Sequence, residues 1–383
     1  MQNSMILRTI ILHLFFLVQA IPVLSQSHDK EESGWEQFTS SLDMPINGRF
    51  DYRNIQFGND IDGYVDDSRF RMSSLLFMLN GKINENFTFN YRQAFNQTGV
   101  DDSNLSNNIQ VATINYTTDN KKWLFKAGKF FYGYGTMEQQ YWPYDVYRYS
   151  YVNNNVRLWK TGVHAEHITA SGQHIAFQVA NGVNEIDSLG KQIQATQFNV
   201  YWWGHIVKDF IKVYSNVTTL SNYNLYDGMP FAFSFGLQWN FDTFWIDTDF
   251  ITARNMPNFN KNGTYYSTPI KFKYNGKHFR PFIKLIFDQV MFDSENDAVI
   301  VTNPVTEKPE LVKNSLMITY EVALEFYPWE DKDFNLHIVG TYADANNHYF
   351  QQENTDPSSR NEYNTQFQLL AGISFNFDAF HLK

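Results

Sequence analysis

Three groupings in this sequence have residue types that chemistry uses. His164-Ala165-Glu166-His167 gathers two imidazoles and a carboxylate. On a strand, His164 and Glu166 share one face and His167 takes the other, so no metal shell closes, and the helical spacing of HExxH zinc hydrolases is absent. Gly133-Tyr134-Gly135 lacks the strand-then-helix setting in which a glycine loop cradles phosphates. A barrel hydrolase needs a serine, a histidine and an orienting polar group on one face. Serines occur on several segments here, yet no motif singles one out, so an enzyme is not the expectation. The third grouping is electrostatic rather than catalytic. Arg92, Lys126, Lys129, Glu138, Arg148 and Lys284 are fixed charges set along or between alternating segments. Lining a water-filled conduit, such charges attract one sign of ion and repel the other. None of these patterns requires a cofactor.

The elements that position these charges are alternating strands. In Trp123-Leu124-Phe125-Lys126-Ala127-Gly128-Lys129, Trp123, Phe125 and Ala127 point one way and Leu124, Lys126 and Gly128 the other. A Tyr-rich segment follows, and alternation resumes through Thr161–His167 and His174–Ala180. The chain is 43% apolar and 17% aromatic over 383 residues, yet its mean hydropathy is −0.42. Beyond the N-terminus no run approaches the roughly 18 apolar residues of a membrane helix. Strands that are apolar on the lipid side and polar inside hide their hydrophobicity from an average, as membrane barrels do.

By alternation and turn residues the chain divides into about sixteen strands, from Met44–Phe57 to Tyr363–Asp378. Short connections such as Asn80–Asn86 and Thr118–Lys122 alternate with long ones such as Gly58–Ser68, Gln97–Asn108, Phe130–Arg157 and Asn181–Ala195. That parity predicts an all-β fold, a transmembrane antiparallel β-barrel with short periplasmic turns and long extracellular loops. Phe244, Ile246 and Phe250, with Ile283, Leu285 and Phe287, are assigned to lipid; Lys271, Lys273, Lys284, Asp247, Asp249, Asp288, Glu321 and Glu325 fall on the opposite, inner faces. Arg92, Lys126, Lys129, Glu138, Arg148 and Lys284 are the expected constriction and selectivity residues. The loop Phe130–Arg157 is the candidate constriction, its aromatic rings forming a rigid wall; the alternative is a surface loop that packs its own rings.

Residues 1–26 read as a signal peptide, with Arg8, the apolar core Ile10–Val18 and a small-residue site at Val23-Leu24-Ser25. Residues 27–42 read as a periplasmic lead, and 43–383 as the barrel. The absence of cysteine excludes disulfides and a lipid anchored through an N-terminal cysteine. A net charge of −10 speaks against a nucleic-acid partner.

Gly128-Lys129-Phe130 through Gly135 and Glu138, then Arg157 and Gly162-Val163, resemble the family of phosphate-selective porins O and P. Arg69-Phe70-Arg71, Gly81-Lys82-Ile83 and the Phe87–Arg92 strand fit the same family's early region. The resemblance implies a sixteen-stranded outer-membrane barrel, assembled as a homotrimer, that passes anions such as phosphate. The chain departs from the family pattern at Phe131-Tyr132-Gly133, which stands where Pro-Phe-Gly is usual. No ladder of arginines is legible in the sequence, and the chain ends on Lys383 rather than an aromatic residue. The expectation is a passive conduit for small hydrophilic solutes, embedded in outer-membrane lipid and lipopolysaccharide. The alternative is a structural or adhesive barrel with an occluded lumen.

Overall fold

The computed structural model describes residues 42–59, 63–95, 108–134, 136–186, 192–221, 228–260, 262–294, 297–302, 309–330, 332–347, 349–352 and 365–378. The expected signal peptide and all but the last residue of the lead segment lie outside the described residues.

The strands are β1 Pro45–Asn59, β2 Gly63–Lys82, β3 Phe87–Ala94, β4 Ile109–Thr117, β5 Trp123–Phe131, β6 Trp159–Ile168, β7 His174–Ile186, β8 Gln192–Val207 and β9 Ile211–Ser221. They continue as β10 Phe231–Asn240, β11 Phe244–Arg254, β12 Gly263–Tyr274, β13 Phe282–Phe292, β14 Val299–Thr302, β15 Pro309–Val312, β16 Asn314–Phe326, β17 Phe334–Ala345 and β18 Thr365–Asp378. Sixteen of them close into one barrel, β1 pairing with both β2 and β18. Closure leaves no strand edge, which hydrocarbon demands because unpaired backbone groups find no water there. Each of the sixteen expected strands is present. β14 and β15 form a separate antiparallel pair in the connection between β13 and β16.

Two of the expected long loops prove to be strand. β1 and β2 remain paired to Asn59 opposite Gly63, and β7 and β8, across an irregularity between Asn181 and Asn184, to Ile186 opposite Gln192. The hairpins therefore continue past the sheet, because cross-strand pairing satisfies backbone groups in water as well as in lipid. The short connections are closed by turn residues at positive φ: Lys121 (55°), Asp209 (61°) and Asp242 (61°).

Burial is inverted relative to a water-soluble sheet. Asn47, Gln178, Gln197, Thr319 and Glu321 are fully buried inside the barrel, while Phe70, Val322, Ile338 and Ile283 stand exposed outside. The alternation of β13, β16 and β17 is strict in this respect. The lipid-facing assignments of Phe244, Phe250, Ile283 and Phe287 agree with their exposure.

Candidate functional site

The connection between β5 and β6 does not stay on the surface. It carries short 3-10 turns at Glu138–Gln140 and Pro143–Asp145 and a helix, α1, at Tyr151–Asn155. Tyr132, Tyr144 and Val152 in it are at most 1% exposed, enclosed by the barrel wall. A loop taken into a lumen brings backbone donors that need partners. The wall supplies carboxylates and amides for them. Gly133 N–H donates to Gln178 Oε1 (3.0 Å), and its carbonyl accepts from Asn199 (2.7 Å). Met137 and Glu138 donate their N–H groups to Asp249 (2.8 and 3.0 Å). Tyr151 N–H donates to Asp288 (2.9 Å), and Val152 N–H to Ser267 Oγ (3.0 Å). Tyr147 OH donates to Glu325 (3.2 Å). At the tip, Tyr144 OH reaches Asp333 (2.9 Å) in the short connection after β16, so the loop descends nearly the full depth of the barrel. Arg49 on β1 donates to the carbonyls of Tyr144 and Val146 (3.2 and 2.9 Å).

Glu138 is the node of this anchoring. It accepts from Ser150 N–H (3.1 Å) and Oγ (2.7 Å), from Asn153, and from the Lys284 ammonium, which also donates to the Arg148 carbonyl. Arg148 donates to Gln366 on β18 (2.6 Å). Burial pushes the Asp145 carboxyl up to about 7, opposed by Lys273 and reinforced by Glu325 and Asp333. A carboxyl whose pKa is raised on docking favours the docked loop while protonated, and that advantage fades as pH rises from its ordinary range toward 7. Current fluctuations from loop motion are therefore expected to grow between pH 5 and pH 8. Recordings of Asp145→Asn over that range should be flat; the same rise in the variant would remove Asp145 as the cause.

The loop divides the lumen unequally. Between it and the wall of β11 to β16 a cavity of only about 20 Å³ remains, bounded by Glu138, Tyr141, Lys271 and Lys284. That is room for a water molecule and no conduit. On its other side lies a cavity of about 1030 Å³, running past Asn47, Asn90, Arg92, Lys126 and Trp142 to Trp329 and Asp378 at the short-connection end.

A basic wall on the inner faces of β1 and β2, continuing the Arg92 side of this space, was missed in the sequence. Arg53 lies opposite Arg69, and Arg71 opposite the inward Asp51, so β1 and β2 set Arg49, Arg53, Arg69 and Arg71 on one inner face. Arg92 on β3 extends it. The period-two spacing of Arg69 and Arg71, and the even spacing of Arg49 and Arg53, were the available signal; only strand register brings them together.

The predicted site residues separate into three groups. Arg92 and Lys126 line the large cavity. Glu138, Arg148 and Lys284 come together as loop anchors on the far side, with Lys284 and Glu138 joined as a buried ion pair. Lys129 departs from expectation. It pairs with Ala112 and Thr161, both on the outward face, because odd positions of β5 follow Trp123 and Phe125 rather than Lys126. It lies two residues from the end of β5, where a lysine's stem can reach the membrane interface and the lipid-facing penalty falls to about 0–1 kcal/mol. Lys129→Ala is expected to leave ion selectivity unchanged, and Lys126→Ala to shift it; equal reversal-potential shifts in the two variants would contradict this placement. Arg280 sits in the β12–β13 connection, stacked on Tyr327 at 3.9 Å.

The histidine cluster is a structural network. Glu166 accepts from Tyr201 (3.1 Å) and pairs with His164 (3.0 Å) and His174, while Gln178 joins His164 to the loop at Gly133. Among the described residues no group of three or more His, Cys, Asp or Glu side chains is arranged to hold a metal ion.

The sequence pattern of the family described as phosphate-selective porin O and P matches residues 44–199. No curated protein matches the chain. Solved structures share its fold. An anion-selective porin from Comamonas acidovorans superposes with a TM-score of 0.56 at 9% identity, covering 88% of this chain and 99% of that one. The outer membrane channel DcaP of Acinetobacter baumannii gives 0.54 at 13% identity, covering 88% and 98%. A trimer form of the outer membrane protein OmpT of Vibrio cholerae gives 0.51 at 9% identity, covering 88% and 100%. With its closed sixteen-stranded barrel and a match carried by residues 44–199, the chain is similar to the outer-membrane porins of the phosphate-selective porin O and P family.

Proposed function

We propose that this porin passes small hydrophilic solutes by diffusion, with a preference for anions, along the side of the lumen lined by β18 and β1 to β6. One observation carries the preference. The eight buried carboxylates among the described residues, Asp51, Glu138, Glu166, Asp247, Asp249, Asp288, Glu321 and Glu325, all hold hydrogen-bond partners in the wall or loop. Among the same residues Arg71, Arg92 and Lys126 have no carboxylate at salt-bridge distance. Five of the eight, Glu138, Asp247, Asp249, Asp288 and Glu325, engage the loop, and Asp51, Glu166 and Glu321 pair with wall groups, so on this side of the lumen Arg71, Arg92 and Lys126 are the inner charges left without a counter-charge, against Asp333 and Asp378 at the short-connection end. Diffusion through such a space needs no cofactor, which favours a channel over an enzyme. A trimer form is recorded for the OmpT neighbour, and the chain is proposed to assemble likewise as a homotrimer in outer-membrane lipid and lipopolysaccharide, after removal of a signal peptide near residue 26.

The test is the reversal potential of purified protein in a planar bilayer across a KCl gradient. An anion-selective value with steady conductance is expected; a cation-selective value sinks the anion preference. The occluded-barrel reading draws support from the aromatic packing of Phe259, Tyr265, Tyr349 and Phe350 around Tyr151. Absence of conductance from folded protein would favour it.

A further inference from the structure

The large cavity is poorly matched to a bare inorganic ion. At about 1030 Å³ it lies just above the roughly 300–1,000 Å³ typical of sites for organic ligands. An oxyanion at one arginine would leave most of it to water. Its wall lacks partners of two complementary kinds. The Arg92 guanidinium rests against the rings of Trp142 (5.3 Å) and Trp159 (4.8 Å), while its Nε and Nη2 are buried without an acceptor. Close by, carboxamides run across β18, β1, β2, β3 and β4. Asn47 donates to Asn376 (3.3 Å), Asn90 to Asn80 (2.8 Å) and Asn115 to Asn90 (2.6 Å). These bonds spend donors and leave acceptors: Asn47 Oδ1 and Asn115 Oδ1 are buried with no donor, and Asn47 is 0% exposed on the cavity wall. Lys126 faces Asn115 across the β4–β5 pairing.

A buried polar atom without a partner costs about 1–3 kcal/mol. A ligand supplying acceptors at Arg92 and Lys126, and a hydroxyl donor at Asn47, meets both deficits together. An inorganic anion meets only the first, and a neutral sugar only the second. We infer that this cavity is a binding site for polyhydroxylated organic anions, sugars that carry a carboxylate or phosphate group. The inference rests on the porin reading and names the solute class that the same lumen retains during passage.

Block of the KCl current in planar bilayers tests it, with glucuronate, glucose 6-phosphate, glucose or inorganic phosphate added to each side in turn. Half-block by glucuronate or glucose 6-phosphate is expected at least tenfold below that of glucose and of inorganic phosphate. Preference for one of the two acids supports the inference and identifies the acid group. Arg92→Gln should raise the half-block concentration of the acid at least tenfold, and Asn47→Ala severalfold. Equal block by inorganic phosphate or by glucose overturns the inference, as does unchanged block in Arg92→Gln. Should Arg92→Gln fail the heat-modifiability check for folding, Arg92→Lys and Asn47→Ala carry the same decision. Loss of all KCl conductance in the parent protein would strike the porin reading instead, before any blocker is added.

Discussion

Exchange of Arg71 and Arg92 for glutamate reverses the sign of the ion preference. Both guanidiniums stand on the basic wall without a carboxylate partner among the described residues, and the remaining buried carboxylates are engaged. A unit charge about 6 Å from a permeating ion contributes about 0.7–2.8 kcal/mol for effective dielectric constants between about 80 and 20. Replacing it by the opposite charge changes that twofold, so one site alone alters the anion-to-cation ratio by tenfold or more. Two sites carry the ratio through unity. The matching exchange of Asp247 and Glu325 to neutral amides should do far less to selectivity, because Tyr141 and Lys273 already engage those groups. Reversal potentials across a fixed KCl gradient measure all three proteins on one scale. Retention of anion selectivity by the double variant would remove the basic wall from the account of permeation.

The second large effect is expected at Glu138. Its carboxylate joins the Lys284 ammonium, the Ser150 backbone and hydroxyl, and Asn153 in a site where Glu138 is 4% exposed. Breaking a buried ion pair by removing one partner costs about 3–5 kcal/mol, mostly because the other charge is left in place. In Glu138→Ala the Lys284 ammonium retains, among the described residues, the Arg148 carbonyl as hydrogen-bond acceptor and the more distant Glu321 charge opposite it. The loop should then leave the wall for part of the time. Single-channel records should show a larger, noisier conductance, and the heat-modifiability midpoint should fall. Glu138→Gln combined with Lys284→Met removes both charges and should recover most of the midpoint. A quiet, parental conductance in Glu138→Ala would mean that Asp249, Asp288 and Arg49 hold the loop without it.

Period-two alternation made the barrel legible, because a lipid face and a water face force it on every strand. The parity of connections added the topology. The hairpin extensions at Asn59 and Ile186 were not legible, since polar pairing above the membrane has no apolar signature. The infolded loop was legible as a segment rich in tyrosine, but not the wall it chooses. That choice depends on Asp249 and Asp288 meeting backbone donors at Met137, Glu138 and Tyr151, a matter of three-dimensional position. Lys129 shows the complementary error: its charge suggested the lumen, while the parity of its own strand placed it outside.

The anchoring of the loop also bears on how the barrel is made. Met137 is 112 residues from Asp249, Tyr151 is 137 from Asp288, and Arg148 is 218 from Gln366. A segment from the first half of the chain is therefore held in part by groups on the last six strands of the barrel. It cannot complete its contacts until those strands exist, and once the seam between β1 and β18 has closed it would have to enter from one end. Filling the interior and closing the seam are thus coupled steps. Contacts so distant along the chain make assembly slow, and they give the incomplete cylinder an internal template on which its later strands can be gathered.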